Sequence, residues 1–337
     1  MDIEPVEKFD DETAAQLLAL EHAVHAADYP DRPPQCSVRY PAELRHPRPG
    51  SDIRHRVVRD GGRVVAHLKV WMPTRDNLHL AGFEILVHPE HRRRGIGGAL
   101  IQTGLGIARE AGRTTVTAGT LSSWGDGPAR PEAGQRFLEA LGFRLALTEV
   151  ERRADVTALD LATEQRLYDE ARSRADGYEI IGWTGRTPEE LHDGVARLNS
   201  TFLTEAPIGE LELEAENIDA DYVRAQDDAS LARGLFMCGV VARHRASSEI
   251  VANTVIGVPT EPGTTAGQWI TLVAPEHRGH RLGLLAKLEN HRQLRRERPA
   301  VRWVYTGNAD VNAHMIAINE LLGFRVLDAW REYQRSI

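Results

Sequence analysis

The chain has 337 residues, 42% of them apolar and 27% charged, and a net charge of −8. That length favours two domains, each able to close its own core, and the acidic balance argues against nucleic-acid binding through a basic footprint. No apolar run approaches the ~18 residues that a bilayer span requires, the start MDIEPVEKFDDE lacks the layout of a signal peptide, and Cys36 and Cys238 are the only cysteines, so the expectation is a cytoplasmic protein without disulfides.

In chain order, residues 11–26 carry apolar positions at three-to-four spacing and predict an amphipathic helix. Residues 28–54 are rich in Pro, Arg and Asp and read as a loop region with a short helix at 40–45. Residues 55–59, the turn Gly61-Gly62 and residues 63–71 predict a hairpin. A longer strand follows at 78–87, then a helix at 95–111 stopped by Gly112. The stretch 114–120 is β-rich, 131–141 helical and 143–149 a strand. A connecting helix at 157–176 leads into a replay of the same order. It comprises a helix at 188–201, strands at 237–244, 250–258 and 268–273, a helix at 282–296, a strand at 301–306, a helix at 312–322 and a strand at 324–333.

Two landmarks mark the replay. Pro89-Glu90-His91-Arg92 recurs as Pro275-Glu276-His277-Arg278, and Leu141-Gly142-Phe143 recurs as Leu322-Gly323-Phe324. Two landmarks in one order imply two copies of one α/β unit. The expected division is a first domain at 1–150, a connecting helix at 151–177 and a second domain at 178–337.

The first landmark opens Arg92-Arg93-Arg94-Gly95-Ile96-Gly97-Gly98, between an apolar strand and an apolar-periodic helix. Glycines let successive N–H groups curl toward one concavity, and the helix start adds unpaired N–H groups and a positive dipole end. Such a turn suits a pyrophosphate. The patterns G-x-x-x-x-G-K-[ST] and G-x-G-x-x-G are both absent, which argues against a nucleoside triphosphatase and a dinucleotide fold. The histidines form no compact ligand pattern, so no metal is expected.

Arg92-x-x-Gly95-x-Gly97 matches the R/Q-x-x-G-x-G/A signature of the GNAT superfamily of acyl-CoA N-acyltransferases, and FEILVHPEHRRRGIGGALI resembles that family's fourth strand, pyrophosphate loop and third helix. The second copy, TLVAPEHRGHRLGLLAKL, departs from the signature: Arg281 occupies the first Gly position, and Gly279 offers alternative slack. Asn308-Ala309 and Asn312-x-x-Met315, ahead of the second Leu-Gly-Phe, resemble the family's C-terminal region. Ala206-Pro207-Ile208-Gly209-Glu210-Leu211 is similar to a segment of actinobacterial tandem GNAT proteins, with mycothiol synthase a relative in architecture.

The resemblance implies an α/β (α+β) fold of two tandem GNAT domains, each a mixed, mostly antiparallel twisted sheet flanked by helices. It implies acetyl-CoA as co-substrate, its pantetheine arm inserted between two splayed strands. Ile85, Leu86 and Val87 then offer backbone groups to that arm, and Arg92, Arg93, Arg94, Gly95, Ile96, Gly97 and Gly98 hold the pyrophosphate. The reaction needs a base, and Glu84, as a half-buried carboxylate of raised pKa, is the candidate. The tyrosine that protonates the thiolate in many relatives is replaced by Leu138 and by Asn319. Ser122 and Ser123 are the alternative donors, with water a third. Ile270 stands where the first copy has Glu84, so the first domain is expected to do the chemistry. The expected activity is N-acetylation of a primary amine on a small molecule in a ternary complex, without metal, nucleic acid or membrane, by a monomeric pseudo-dimer or a homodimer. The competing expectation is a non-catalytic acyl-CoA-binding sensor or scaffold.

Overall fold

A computed structural model of the chain describes residues 2–260 and 263–337. These fall into two compact units whose boundaries do not follow the sequence cut. The first holds the chain up to Glu149 together with Ile208–Glu214 and Asp328–Ile337; the second holds Val150–Pro207 and Ala215–Leu327.

In chain order the elements are β1 (Glu4–Val6), α1 (Asp11–Asp28), α2 (Arg39–Arg45), β2 (Ser51–Asp60), β3 (Arg63–Pro73), β4 (Leu80–Val87), α3 (Ile96–Glu110), β5 (Thr115–Ser122), α4 (Ala133–Ala140) and β6 (Arg144–Asp155). There follow α5 (Leu161–Ser173), β7 (Tyr178–Thr184), α6 (His192–Asn199), α7 (Phe202–Glu205), α8 (Ala220–Ala232), β8 (Leu235–His244), β9 (Ile250–Pro259) and β10 (Thr265–Val273). The chain closes with α9 (Leu282–Glu297), β11 (Trp303–Ala309), α10 (Ala313–Leu321) and β12 (Arg325–Ser336). Each repeated Pro-Glu-His is a 3₁₀ turn.

The first unit's strands run in the order β1-β2-β3-β4-β5-β12. All neighbours are antiparallel except β4 and β5. In the second unit the order is β6-β11-β10-β9-β8-β7, and β10 with β11 is the parallel pair. β6 crosses the boundary between Glu149 and Val150, and β12 crosses it between Leu327 and Asp328. Each unit thus takes a strand segment from the other half of the sequence.

Side chains alternate across each strand, and the register sorts the first unit's sheet into two faces. Ala66, Leu68, Val70, Ala81, Phe83, Val116 and Ala118 pack against Ile96, Leu100, Ile101, Leu105 and Ala108 of α3. On the opposite face α1 lays down Leu17, Leu20 and Val24 beside Tyr40 of α2, with Val57, Val64 and Leu86. Asp10 starts α1 by accepting the Thr13 N–H at 2.7 Å. The second unit has the same two layers, one core built on α5 and α9 and the other on α6 and α8.

Candidate functional site

β4 and β5 pair in parallel from Leu80 with Thr115 to Phe83 with Ala118, and there their pairing ends. Past that point residues 84–87 stay bonded to β3 and β5 stays bonded to β12. The two facing edges carry main-chain N–H and C=O groups, the partners that an extended ligand chain uses. β4 then leads through its 3₁₀ turn into the loop before α3. Arg93 has φ 62° and Gly95 φ 81°, both left-handed, and Gly95 is the N-cap of α3 without any side-chain cap. The first helical bond is Ala99 N–H to Gly95 O at 3.1 Å. The N–H groups of Ile96, Gly97 and Gly98 therefore have no acceptor within the helix, and the helix dipole makes this end positive. A Cβ at Gly97 would press on the Phe137 ring at 3.2 Å, whereas one at Gly98 would meet nothing within 4 Å.

The three arginines divide. Arg92 is held away from the loop mouth: both its terminal nitrogens donate to Asp28 at 2.8 Å, and its Nε donates to Val87 O. Arg94 donates to Glu90 O at 2.9 Å. Arg93 and Arg94 are the exposed pair. Ile96 is a buried core residue, so it serves the loop through its backbone alone. Ile85, Leu86 and Val87 lie on the parted stretch of β4.

Glu84 is the first residue of β4 past the last β4–β5 pair, but it is not half-buried. Its side chain is 66% exposed and receives Lys69 Nζ at 2.8 Å from the directly opposed position of β3. An edge position with a cross-strand lysine keeps it solvated. Ser122 is buried and donates weakly to Ala329 O on β12 at 3.4 Å. Ser123 is exposed and accepts the Arg130 N–H at 2.8 Å, which leaves its own proton available to a ligand. Leu138 is core, and Asn319 is buried against Lys287 in the second unit.

The sheet face under α1 and α2 also carries His55, Lys69, Trp71, Glu84, Thr117, Gly119, Trp330 and Glu332, as the strand registers require. Burial raises the Glu332 carboxyl, and Trp330 Nε1 and the Thr117 hydroxyl donate to it, Trp330 at 2.7 Å. Burial, then the nearby Glu84 charge, pushes Glu21 on α1 up to about 7, against the Tyr40 hydroxyl and Lys69, which pull it down. His55 Nδ1 and His67 Nε2 meet at 2.9 Å, and burial lowers them to about 4 and about 3, so the pair is neutral. Behind the loop that follows β5, the buried Arg130 is clamped by Asp31 at 2.5 Å and by Asp328 at 2.7 Å. Burial lowers the Arg130 guanidinium while the Asp31 bond, the larger effect, raises it. Sequence reasoning did not reach Glu21 or Glu332. Glu21 has a signal, a carboxylate inside the apolar register of LALEHAV; Glu332 has none, because its strand comes from the far end of the chain.

The second unit repeats the loop with two residues exchanged. Gly279 takes φ 84° where the first copy has Arg93, and Arg281 takes φ 56° where the first has Gly95. The side chain at Arg281 therefore does not change the course of the backbone. It turns outward to Glu170 at 2.9 Å, and Arg278 pairs with Glu205 at 2.6 Å. β10 carries a bulge between Gln268 and Thr271 against β9, a feature absent from the β3–β4 register. Within the acidic stretch 205–228, Ile208–Glu214 lies with the first unit, and Asp219 caps α8. Among the described residues no group of three or more His, Cys, Asp or Glu is placed to hold a metal ion, and no helix is long and apolar enough to cross a membrane.

The acetyltransferase (GNAT) family model matches residues 17–143. Among solved structures, a tandem GNAT protein from the clavulanic acid biosynthesis pathway is 33% identical with a TM-score of 0.83, covering 99% of this chain and 98% of its own. A GCN5-related N-acetyltransferase from Sphaerobacter thermophilus is 16% identical with a TM-score of 0.65, covering 99% of this chain and 95% of its own. A glucosamine N-acetyltransferase region of a fungal β-N-acetylglucosaminidase is 16% identical with a TM-score of 0.70, covering 99% of this chain and 38% of its own; these last two show the fold alone. No curated protein sequence matches the chain.

Proposed function

The chain belongs to the GNAT acetyltransferase family, and we propose that its first unit transfers an acetyl group from acetyl-CoA to a primary amine of a small molecule. The observation that carries this reading is the parting of β4 from β5 immediately before a loop whose N–H groups open at the start of α3. A pantetheine arm pairs with the free edge of residues 84–87, and the pyrophosphate sits on the N–H groups of residues 93–98, with Arg93 and Arg94 adding charge. Arg92 acts through the backbone, since its ion pair with Asp28 fixes the end of β4 to α1.

With the thioester placed at the parting, the amine adds to the acyl carbon and an N–H of β4 meets the developing oxyanion. Glu84 and Glu332 give the face a negative potential that favours an ammonium acceptor. Of the two serines, Ser123 is the better placed to protonate the departing thiolate, because its own O–H is not used to hold the fold.

Calorimetric titration with acetyl-CoA tests the reading. Saturable binding is expected, and Gly98→Glu, which has room for its side chain, should weaken it about 100-fold by setting a carboxylate at the pyrophosphate position. Unchanged affinity in that variant would move the site away from the first loop. Binding without thiol release across a panel of amines would favour the sensor or scaffold reading instead.

A further inference from the structure

The stripe of α1 that faces the sheet consists of Ala14, Leu17, Leu20 and Val24, all buried. Glu21 stands in that stripe, four residues after Leu17 and three before Val24, and helical spacing puts it on the same side. α1 packs against α2, β3 and β4, and each supplies a group that faces this carboxylate. From α2 the Tyr40 hydroxyl donates to it and Glu43 adds a like charge; β3 brings Lys69 and β4 brings Glu84. Tyr29, just past the end of α1, also feels its charge. On the side of the 3₁₀ turn, Arg92 is occupied by Asp28. Glu332 on β12 faces Glu84 in turn. Glu84 marks the point where β4 leaves β5, so Glu21 stands beside the place assigned to the thioester.

We infer that Glu21 is the proton acceptor of this acyl transfer, a role that rests on the reading of the first unit given above. Glu84, exposed and paired with Lys69, is better suited to hold the incoming ammonium than to deprotonate it. One ammonium proton passes to the Glu21 carboxylate. The freed nitrogen lone pair forms the C–N bond while the carbonyl π pair moves onto oxygen. That pair returns, the C–S bond breaks, and the thiolate leaves with its electrons and takes the Ser123 hydroxyl proton, which the second nitrogen proton replaces by way of water. Glu21 then gives its proton to solvent, so each turnover yields an amide, a free thiol and one proton. Burial and the charge of Glu84 bring Glu21 to about 7, where a general base is most effective near neutral pH.

Two measurements on the full chain test the inference. Infrared difference spectra between about pH 5 and pH 9 are expected to show one carboxyl band titrating near neutrality, absent in Glu21→Gln and shifted to higher pH in Tyr40→Phe, which removes a bond to the charged form. With acetyl-CoA and tyramine, spermidine and glycinamide as probe amines, thiol release gives kcat/KM against pH. Glu21→Gln should lower it about 100-fold or more and abolish the neutral limb while leaving acetyl-CoA affinity unchanged. Glu21→Asp should restore part of the limb. Glu84→Gln should raise KM for the amine and keep the limb while moving it to lower pH, since the charge of Glu84 raises Glu21. An unaltered carboxyl band in Glu21→Gln, or a pH profile like that of the wild type, overturns the inference alone. A wild-type protein that binds no acetyl-CoA overturns the reading beneath it, and the inference with it.

Discussion

Lys287 lies on α9 with 0% of its surface exposed, its Nζ bonded to Asn319 Oδ1 at 2.7 Å and 5.0 Å from the centre of the Phe324 ring. No carboxylate repays the loss of water, and burial alone drives the amine down to about 7. Between that value and its ordinary 10.5, the unfolded chain holds a proton that the folded one has shed. The unfolded state therefore binds more protons, and stability rises with pH across this window, with the full penalty present below pH 7. Lys287→Met fits the same space and has no charge to lose. It is expected to stabilise the protein by about 2–4 kcal/mol at neutral pH and to flatten the climb in Tm between pH 7 and 10. Equal pH dependence in the variant would place the titrating group elsewhere. Residues of this kind were partly legible in the sequence. The glycines and arginines of the first loop announce a turn and a charge, but the commitment of Arg92 to Asp28 and the exposure of Glu84 depend on neighbours from other elements.

Elements were more legible than contacts. Helical periodicity located α1, α3 and α9, and alternation located β2 to β4 and β8 to β10, because each buries one side of a regular element. β7 is not legible from the sequence: Tyr178–Thr184 is short and interrupted by Gly182, whose neighbour is the Gln293 side chain. The run Ile208–Glu214 is not legible either: Glu and Leu alternate from 210 to 214, yet it forms neither helix nor strand and belongs to the first unit. There Glu210 N–H donates to Ala146 O at 2.8 Å, Glu212 N–H to Gln334 at 2.8 Å and Glu214 N–H to Asn77 at 2.7 Å. Its entry depends on Gly209, which has φ 61° and lies so close to β6 that a Cβ would overlap the Ala146 carbonyl oxygen. Gly209→Val should therefore cost about 2–3 kcal/mol and release the segment. Limited proteolysis should then cut between residues 205 and 216 well before global unfolding. Resistance equal to that of the wild type would show that the backbone can shift to accept the side chain.

At the scale of the whole molecule, the two landmarks in the sequence reveal duplication but not the exchange of strands. Every residue of β12 from Ala329 to Ser336 pairs with β5, from Ser122 back to Thr115, and periodicity says nothing about which copy receives a terminal strand. The consequence is that the first unit cannot complete itself from its own half of the sequence. Without β12 the edge of β5 is open, Tyr333 leaves the core, and the buried Arg130 loses Asp328. Losing the buried Tyr333 side chain alone costs about 3–5 kcal/mol, a large part of the stability of a domain. Glu332 and Trp330 are lost from the sheet face at the same time. A chain ending at Leu327 is therefore expected to lose the cooperative transition of the first unit and its affinity for acetyl-CoA, while the second unit, whose residues all remain, still unfolds as one step in calorimetry. Two preserved transitions in the truncated chain would show that β5 needs no partner, and that the far end of the sequence adds to the site without building it.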